Sequence, residues 1–196
     1  MAEWDKMVAG EPYDPRDPAL VAARARTRDL LKDYNGTSQT EGERRMAILA
    51  ALFAEAGDGL WIEPPFFCDY GSNIAVGRNV FFNFNCVVLD VAAVRLGNDV
   101  FVGPAVQIYA AGHYMDADRR RRDLEFGLPV DIGSDVWIGG GAIILPGVSI
   151  GSRSVIGAGS VVVNDVPEDV FAAGNPCRVL RPLTPGEYAN SEPRLP

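Results

Sequence analysis

The C-terminal half of the chain carries an apolar residue at every sixth position. From Ile132 to Val162 the positions in steps of six are all aliphatic, and the residue four places after each is small or β-branched. Helices repeat near 3.6 residues and simple strands near 2, so neither explains this period. A coil of three short faces does explain it, with one hexad per face and each aliphatic side chain pointing inward. The pattern therefore predicts a parallel β-helix whose successive turns stack about 4.8 Å apart.

Weaker hexads precede this region and one long interruption divides them. Val76, Phe82 and Val88 follow the period, and two extra residues then shift the register to Leu96. Between residues 110 and 129 the hexads disappear and the chain becomes polar and charged. Loops longer than about 12–15 residues in compact domains are usually functional or disordered. We therefore predict a long loop that is inserted at one corner of the coil.

The first 58 residues follow a helical pattern instead. Asp17 precedes a proline, as at many helix starts, and Asn35 precedes a glycine, as at many helix ends. Ser38–Glu41 has the form of a capping box that opens a second helix, which we expect to end at Gly57. Two such short helices cannot form a core alone. We expect them to cover one end of the solenoid, where a bare β-edge would invite pairing with other chains.

Length and charge narrow the class of protein. The chain has 196 residues and a net charge of −8, so a basic surface for nucleic acid is not expected. The run Arg119–Arg122 is flanked by acids, which is typical of a solvated loop. The N-terminus has no signal peptide and no stretch is long enough to span a membrane, so we expect a cytoplasmic protein without membrane partners. The expected organisation is a helical segment at 1–58, a left-handed β-helix at 59–183 and a flexible tail at 184–196.

The cysteines and the single histidine limit the possible chemistry. Cys68, Cys86 and Cys177 do not make a disulfide framework. Cys68 and Cys86 lie eighteen residues apart, which is one full coil, so we expect them to stack as small core residues in a reducing compartment. Because the chain has a single histidine, a zinc site with three histidine ligands is excluded, and we expect no metal site.

His113 and Asn83 are the candidate catalytic residues. His113 lies in the inserted loop, and an imidazole with a pKa near 6.5 suits proton transfer at neutral pH. An idle surface histidine is the alternative, and position alone does not decide between the two. Asn83 should face outward near a corner, where stacked asparagines often satisfy backbone groups. A functional role for Asn83 depends on whether it approaches His113.

Eight different short motifs occur along the chain, in an order that is typical of one protein family. They are Ala9-Gly10-Glu11-Pro12-Tyr13-Asp14, Pro64-Pro65-Phe66, Asp69-Tyr70-Gly71-Ser72-Asn73-Ile74, Asn83-Phe84-Asn85, Ala111-Gly112-His113, Val136-Trp137-Ile138-Gly139, Ile156-Gly157-Ala158-Gly159-Ser160 and Ala173-Gly174-Asn175-Pro176-Cys177-Arg178. Over residues 3–183 the chain resembles the hexapeptide-repeat acyltransferases, specifically the sugar O-acetyltransferases of the maltose and galactoside acetyltransferase group. The resemblance implies a left-handed parallel β-helix, a homotrimer with active sites between subunits, and acetyl-CoA as the acetyl donor.

The resemblance also implies roles for individual residues. His113 would be the general base that deprotonates an acceptor hydroxyl for direct attack on the thioester. Asn83 would help to place that acceptor, and the backbone N–H of Gly140, where a serine is common, would stabilise the oxyanion. The implied CoA-binding residues are Trp137, Gly140, Ala158, Val163, Asn164, Arg178 and Arg181. The implied acceptor-binding residues are Asp14, Asp69, Asn83 and Glu125, with Asp90 as a weaker candidate.

Some of these assignments keep an alternative. Asn164 stands where a lysine is often found, which removes one possible phosphate contact. A guanidinium suits the phosphates of CoA, but Arg181 could equally be an ordinary surface residue. Each candidate carboxylate could equally be a solvated surface acid.

The sequence therefore predicts a cytoplasmic acetyl-CoA-dependent sugar O-acetyltransferase. Two rival functions remain open at this point. One is acetylation of a hydroxylated antibiotic or other xenobiotic, although the related enzymes with that activity typically lack the helical segment found here. The other is a β-helix that serves only as a binding scaffold.

Overall fold

Three parallel sheets form the faces of a triangular coil in the computed structural model, which describes residues 1–184 and 186. The helices are α1 (Glu3–Val8), α2 (Pro18–Asn35), α3 (Gly42–Leu52) and α4 (Ala117–Arg121). The strands are β1 (Glu55–Ala56), β2 (Trp61–Ile62), β3 (Phe66–Cys68), β4 (Ile74–Val76), β5 (Phe81–Phe82), β6 (Cys86–Leu89), β7 (Val94–Leu96), β8 (Phe101–Val102), β9 (Gln107–Tyr109), β10 (Ala111–His113), β11 (Glu125–Gly127), β12 (Val130–Ile132), β13 (Trp137–Ile138), β14 (Ile143–Ile144), β15 (Ser149–Ile150), β16 (Val155–Ile156), β17 (Val161–Val162), β18 (Val170–Ala173) and β19 (Arg178–Pro182).

Each face takes one strand from each successive turn. The first face has the order β1-β4-β7-β12-β15, the second β2-β5-β8-β13-β16-β18, and the third β3-β6-β9-β14-β17. Pairing along the faces is parallel, and β19 closes the second face by an antiparallel pair with β18. The result is a β-helix of about six turns, as the hexads predict, and it is left-handed, as the resemblance implies.

The six-residue period is confirmed as an inward column of aliphatic side chains. Ile144 stacks between Ile108 and Val162 on the third face, and it is fully buried. The glycine that follows an aliphatic residue has a steric reason. A Cβ at Gly139 would lie 2.5 Å from the backbone nitrogen of Ala158 in the next turn, so the coils could not stack so closely with any side chain there.

The turns differ in length, and the extra residues fall at one corner. On the second face Trp61 pairs with Phe81, twenty residues later, whereas Trp137 pairs with Val155, eighteen residues later. The additional residues lie between the third and first faces, together with the inserted segment. We call this edge the histidine corner; it comprises residues 69–73, 90–93, 110–129, 145–148 and 163–165. The edge between the second and third faces is called the asparagine corner; it comprises residues 63–65, 83–85, 103–106, 139–142, 157–160 and 174–177.

The longer early turns overturn the expected stacking of two cysteines. Cys86 pairs with Phe66, and Cys68 pairs with Val88. An interval of eighteen residues is one turn only in the later coils, and here the turn takes twenty. The expectation that the cysteines are buried and unpaired is confirmed, because all three are buried and free.

The first predicted helix is confirmed at both ends. α2 begins at Pro18, and the Asp17 carboxylate caps it by accepting a hydrogen bond of 2.9 Å from the N–H of Ala19. It ends at Asn35, with the following glycine as the C-cap.

The second helix is shorter than predicted. α3 starts at Gly42, because Ser38–Glu41 forms a turn in which the Glu41 carboxylate accepts from the Ser38 N–H at 2.7 Å while the Ser38 hydroxyl contacts Thr40. The helix ends at Leu52 and not at Gly57, since Glu55–Ala56 already forms the first strand of the solenoid.

The helices cover the first turn, as the sequence predicts. Tyr34 of α2 is fully buried, and its hydroxyl donates to the carbonyl of Ile62 at 2.6 Å. The Asn35 side chain bonds both the N–H and the carbonyl of Phe66, each at 2.9 Å. These bonds satisfy edge groups that would otherwise be open to another strand.

A second, smaller core fastens the N-terminal segment to the histidine corner. Its buried members are Met7, Tyr13, Leu20, Tyr70 and Val91. Tyr70 and Val91 belong to the two-residue expansions of the early turns, so this core exists because those turns are longer. The helical segment therefore supports the histidine corner as well as covering the end of the coil.

The proposed flexible tail, 184–196, lies outside the described residues except for 184 and 186. Among the residues described, no helix combines the length and the apolar character that a membrane crossing requires.

Replacing Ile144 with aspartate should unfold the solenoid. An unpaired charge in the apolar column costs about 3–5 kcal/mol and has no route to solvent. Circular dichroism should show no cooperative melting transition. Ile143→Asp is the matched control, because Ile143 is on the same strand and faces outward. The control should keep its β-spectrum, and equal melting of the two variants would contradict the assigned register.

Candidate active site

The inserted segment is a hairpin that carries His113. β10 and β11 pair antiparallel and place His113 directly opposite Glu125. The tip contains α4, which Asp116 caps by accepting a hydrogen bond from the N–H of Arg119 at 2.8 Å. The arginine run predicted to be solvated is exposed at this tip, where Arg121 pairs with Asp118. The predicted open loop is thus an ordered arm at the histidine corner.

A cavity of about 360 Å³ opens beside His113 at the base of this hairpin. Its lining combines charged and apolar side chains: Pro15, Arg24, Arg28, Asp69, Tyr70, Leu89, Val91, Ala111, His113 and Glu125. A larger, shallower depression of about 530 Å³ lies on the first face. That depression contains neither His113 nor any other group with the chemistry that the sequence predicts, so the smaller cavity is the candidate site.

Asp69 is at the floor of this cavity, as the sequence predicts. Burial raises the pKa of its carboxyl group, and the positive charges of Arg28 and Arg24 oppose that rise. The nearest atoms of Asp69 and Arg28 are 3.7 Å apart. Asp69 therefore presents a partly desolvated acceptor to a ligand hydroxyl.

The sequence analysis missed the two arginines. Arg24 and Arg28 are four residues apart on α2, which puts both on the face that looks into the cavity. Arg24 donates to the Tyr70 hydroxyl at 2.5 Å and to the Pro15 carbonyl at 2.6 Å. The signal available in the sequence was the four-residue spacing of these two arginines, which places them on the same face of a helix.

Asp90 organises the cavity floor and does not line it. Its carboxylate is fully buried, and its Oδ1 accepts from the N–H groups of Asp69 at 3.0 Å and Tyr70 at 2.9 Å. Its Oδ2 accepts from the N–H of Asn73 at 3.3 Å. Burial raises the pKa of Asp90 to about 7, although the hydrogen bonds from the N–H groups of Tyr70 and Asn73 favour the charged form.

Glu125 lies between a tyrosine and the histidine. Its Oε2 accepts a hydrogen bond of 2.7 Å from the hydroxyl of Tyr13, and its Oε1 is 3.9 Å from Nε2 of His113. The His113 side chain is 63% exposed, whereas that of Glu125 is 25% exposed. His113 thus stands at the mouth of the cavity with a carboxylate beside it.

Asp14 is close to the cavity but its carboxylate is already engaged. It accepts hydrogen bonds from the backbone N–H and from Nε of Arg16, at 2.9 and 3.0 Å. These bonds lower the pKa of Asp14. Pro15, and not Asp14, lines the cavity. The acceptor role of Asp14 stays a prediction.

Asn83 lies at the asparagine corner, between the second and third faces. Its Oδ1 accepts from the N–H of Phe84 at 2.8 Å, which is the backbone role that the sequence leaves open. Its Nδ2 has no hydrogen-bond partner within the described part of the chain. The next residues of this turn reach φ of +63° at Asn85, a left-handed conformation that asparagine tolerates well.

Two backbone N–H groups at the same corner are also unpaired among residues 1–184. They belong to Gly140 and Ala158, which occupy equivalent positions in successive turns. Their neighbours are paired, since Gly139 donates to Ile156 and Gly141 donates to Pro104. The corner therefore offers two adjacent donors to a ligand that runs across the turns.

The other residues predicted to bind CoA are divided between the two corners. Trp137 is 57% exposed on the second face, next to the asparagine corner. Arg178 and Arg181 lie on β19 at the end of that face and donate to nearby backbone carbonyls. Val163 and Asn164 follow β17 and lie at the histidine corner, two turns beyond His113.

The candidate residues of one chain therefore form two separate groups, one at each corner. His113, Asp69 and Glu125 share the cavity at the histidine corner. Asn83, Gly140 and Ala158 lie at the other edge of the third face. The close approach of Asn83 to His113 does not occur within a single chain. Within the described residues, no group of three or more His, Cys, Asp or Glu side chains is arranged to hold a metal ion.

Comparisons with known proteins identify the parts of this chain. Residues 6–57 match the maltose acetyltransferase hexapeptide capping motif, and residues 129–164 match the bacterial transferase hexapeptide (six repeats). Nodulation protein L of Rhizobium leguminosarum bv. viciae is 52% identical over 91% of this chain and 94% of its own length.

Two solved structures show the same fold over nearly the whole chain. A maltose O-acetyltransferase from Clostridium difficile 630 is 46% identical, with a TM-score of 0.93 over 94% of this chain and 98% of that chain. A galactoside acetyltransferase in complex with coenzyme A is 36% identical, with a TM-score of 0.94 over 99% and 96% of the two chains.

Asp90 should make stability depend on pH in a way that Asp90→Asn removes. The folded state holds the Asp90 proton up to about pH 7, whereas the unfolded chain releases it near pH 4. Its contribution to stability is therefore present below about pH 4 and is lost as pH rises through 7. Relative to wild type, the asparagine variant should gain roughly 2–4 kcal/mol between pH 4 and 7.5 in denaturant unfolding at fixed protein concentration.

Asp90→Ala is the comparison variant for this measurement. The asparagine oxygen can still accept from Asp69 and Tyr70, but alanine leaves three N–H groups unpaired and should destabilise at every pH. A stability difference between wild type and Asp90→Asn that does not change with pH would show that the carboxyl group does not titrate in this range.

Proposed function

The chain belongs to the hexapeptide-repeat acetyltransferase family of the galactoside and maltose O-acetyltransferases, and from this membership we propose that it transfers an acetyl group from acetyl-CoA to a hydroxyl of a sugar or a similar small acceptor. The observation that carries the proposal is the cavity in which His113, the single histidine of the chain, meets two carboxylates.

His113 acts as the general base in this reaction. Its imidazole accepts the proton of the acceptor hydroxyl as the hydroxyl oxygen attacks the thioester carbonyl. The new C–O bond forms and the C–S bond breaks, and the departing thiolate of CoA takes the proton back from the imidazolium. No acyl-enzyme is needed, and the buried cysteines, whose pKa values burial raises, are unsuited to act as nucleophiles.

The asparagine corner supplies the donor half of the site. The unpaired N–H groups of Gly140 and Ala158 suit a ligand with carbonyl oxygens, and an oxyanion at Gly140 would gain its charge-assisted hydrogen bond only during the reaction. Trp137 offers an exposed apolar surface, and Arg178 and Arg181 offer guanidinium groups for phosphates. These features fit the acetylated pantetheine arm and the nucleotide of acetyl-CoA.

The acceptor binds at the histidine corner. Asp69 accepts hydrogen bonds from its hydroxyls, Arg24 and Arg28 are available as donors, and Glu125 lies beside His113 in the same cavity. Six of the ten lining residues carry charged or hydrogen-bonding side chains, which suits a sugar better than a large apolar drug. The Asn83 amide, whose Nδ2 is unpaired, would add a hydrogen bond to the same acceptor from a neighbouring subunit.

The active enzyme is a homotrimer with sites between subunits. The two groups of candidate residues, which we call half-sites, occupy different corners of one chain. A complete site therefore requires the asparagine corner of a neighbouring copy to lie against the histidine corner. Exposed aromatic side chains flank the asparagine corner: Phe67, Phe84, Phe101 and Trp137, each about half exposed. An apolar strip of this kind is typical of a surface that another subunit covers. Three free thiols fit a cytoplasmic location.

The direct test is CoA release from acetyl-CoA with galactosides, maltose and hydroxylated antibiotics as acceptors. A sugar should support turnover, and His113→Ala should lower kcat about 10²–10⁴-fold, because the variant lacks the base. CoA binding by the variant should remain, since His113 is not among the residues proposed to bind CoA.

Arg122→Ala is the matched control for this measurement, because Arg122 is an exposed residue on the same hairpin. It should keep the wild-type rate. Turnover of the antibiotics alone would contradict the sugar acceptor, and a His113→Ala rate near that of wild type would remove His113 from the mechanism. A chain that neither binds CoA nor releases it would favour the scaffold function.

A further inference from the structure

Three residues from three different segments line up across the base of the hairpin. Tyr13 pairs with Glu125 through two backbone hydrogen bonds, of 3.1 and 3.2 Å, and Glu125 pairs in turn with His113. Residues that are directly opposite in antiparallel pairs project to the same side. Backbone register therefore fixes a row of phenol, carboxylate and imidazole, whatever a bound acceptor does.

The phenol of Tyr13 holds the carboxylate in place. Tyr13 is 1% exposed, and its hydroxyl donates to Oε2 of Glu125 at 2.7 Å. Burial, together with that hydrogen bond, raises the pKa of Tyr13, so the hydroxyl keeps its proton and remains a donor. Tyr13 belongs to the second core with Met7 and Leu20, which makes it a rigid support.

The second oxygen of Glu125 is left for the histidine. Oε1 has no other hydrogen-bond partner among the described residues, and it lies 3.9 Å from Nε2 of His113. At this distance the contact is longer than a direct hydrogen bond, so Glu125 acts on the ring through its negative charge, which attracts a hydrogen on the facing nitrogen. The nitrogen turned toward Glu125 then carries the hydrogen, and the other nitrogen is left to accept a proton.

We propose that Glu125 is a positioning residue for His113, anchored by Tyr13, and not primarily a contact for the acceptor. This inference rests on the proposed function, in which His113 is the general base. During the reaction the acceptor proton moves to the free ring nitrogen, and the Glu125 carboxylate stabilises the imidazolium until the thiolate of CoA takes that proton. The carboxylate itself stays ionised throughout.

Other charged groups face the same cavity, and their influence on His113 must be distinguished from that of Glu125. Asp69 and Tyr70 approach from the expanded turn, and Arg24 and Arg28 approach from α2. Asp69 is the closest comparison, since it is a carboxylate in the same cavity but is not paired with His113 in the hairpin. Asp69→Asn therefore controls for the loss of one negative charge near the site.

The test compares Glu125→Gln, Tyr13→Phe and Asp69→Asn in the full-length protein, with acetyl-CoA and whichever of the galactosides and maltose turns over faster. Glu125→Gln should lower kcat about 10–100-fold, as is typical when a carboxylate that holds a functional imidazole is removed. It should also move the acidic limb of the pH–rate profile to lower pH, because the imidazolium loses a nearby negative charge. Tyr13→Phe should lower kcat less than Glu125→Gln does, and Asp69→Asn should raise the KM for the acceptor and move the acidic limb less.

One readout does not depend on catalysis. The chain has a single histidine, so the imidazole C–H signals in an NMR titration report His113 alone. Their titration curve should move to lower pH in Glu125→Gln and move less in Asp69→Asn. This separates the inference from the function, since a near-normal rate in His113→Ala would overturn the function whatever the titration shows.

Two outcomes would overturn the positioning role. One is a Glu125→Gln variant with a higher KM for the acceptor and an unchanged pH profile, which would make Glu125 an acceptor contact. The other is an NMR titration curve that is identical in Glu125→Gln and wild type. Equal shifts in Glu125→Gln and Asp69→Asn would also contradict it, because they would show only the summed charge of the cavity.

Discussion

The stacking of inward aliphatic side chains, one per hexad, is the constraint on which the rest of the structure depends. Each turn must place its aliphatic residues directly over those of the previous turn, as Ile144 does between Ile108 and Val162. Burial of these columns favours the fold, and close stacking of the turns requires glycine at positions such as Gly139. The position of a residue within the six-residue repeat therefore determines whether it lies on a face or at a corner. Extra residues can be inserted only at corners, where they do not interrupt the columns of inward aliphatic side chains.

That rule explains where the candidate site forms. The early turns take two extra residues and the middle of the chain takes a whole hairpin, and all of these additions leave the coil at the same corner. The additions bring Asp69, Asp90 and His113 together, although they are far apart in sequence. They also create the second core, in which Tyr70 and Tyr13 join the N-terminal segment to the site. The helical segment thus stabilises the candidate active site as well as the end of the solenoid.

The sequence predicts the repetitive parts well and the irregular parts poorly. The hexads from Ile132 onward and the ends of α2 follow from local rules, because one period or one capping residue decides each of them. The stacking of Cys68 and Cys86 was predicted wrongly because turn length depends on which corner holds the extra residues. The pairing of Tyr13 with Glu125 could not be predicted at all, because 112 residues separate them. The cavity carboxylates were found by resemblance, whereas Arg24 and Arg28 were visible only as a helical pair.

The separation of the half-sites gives the account its sharpest test. If the site forms between subunits, His113→Ala and Asn83→Ala chains carry complementary defects. Co-expressed with different tags and purified through both, they should form mixed trimers in which about one third of the sites have both residues intact. The account predicts that these mixed trimers regain about one third of the wild-type rate of acetyl transfer, whereas each homotrimer is impaired. Mixed trimers that are no more active than the two homotrimers would contradict a site shared between chains.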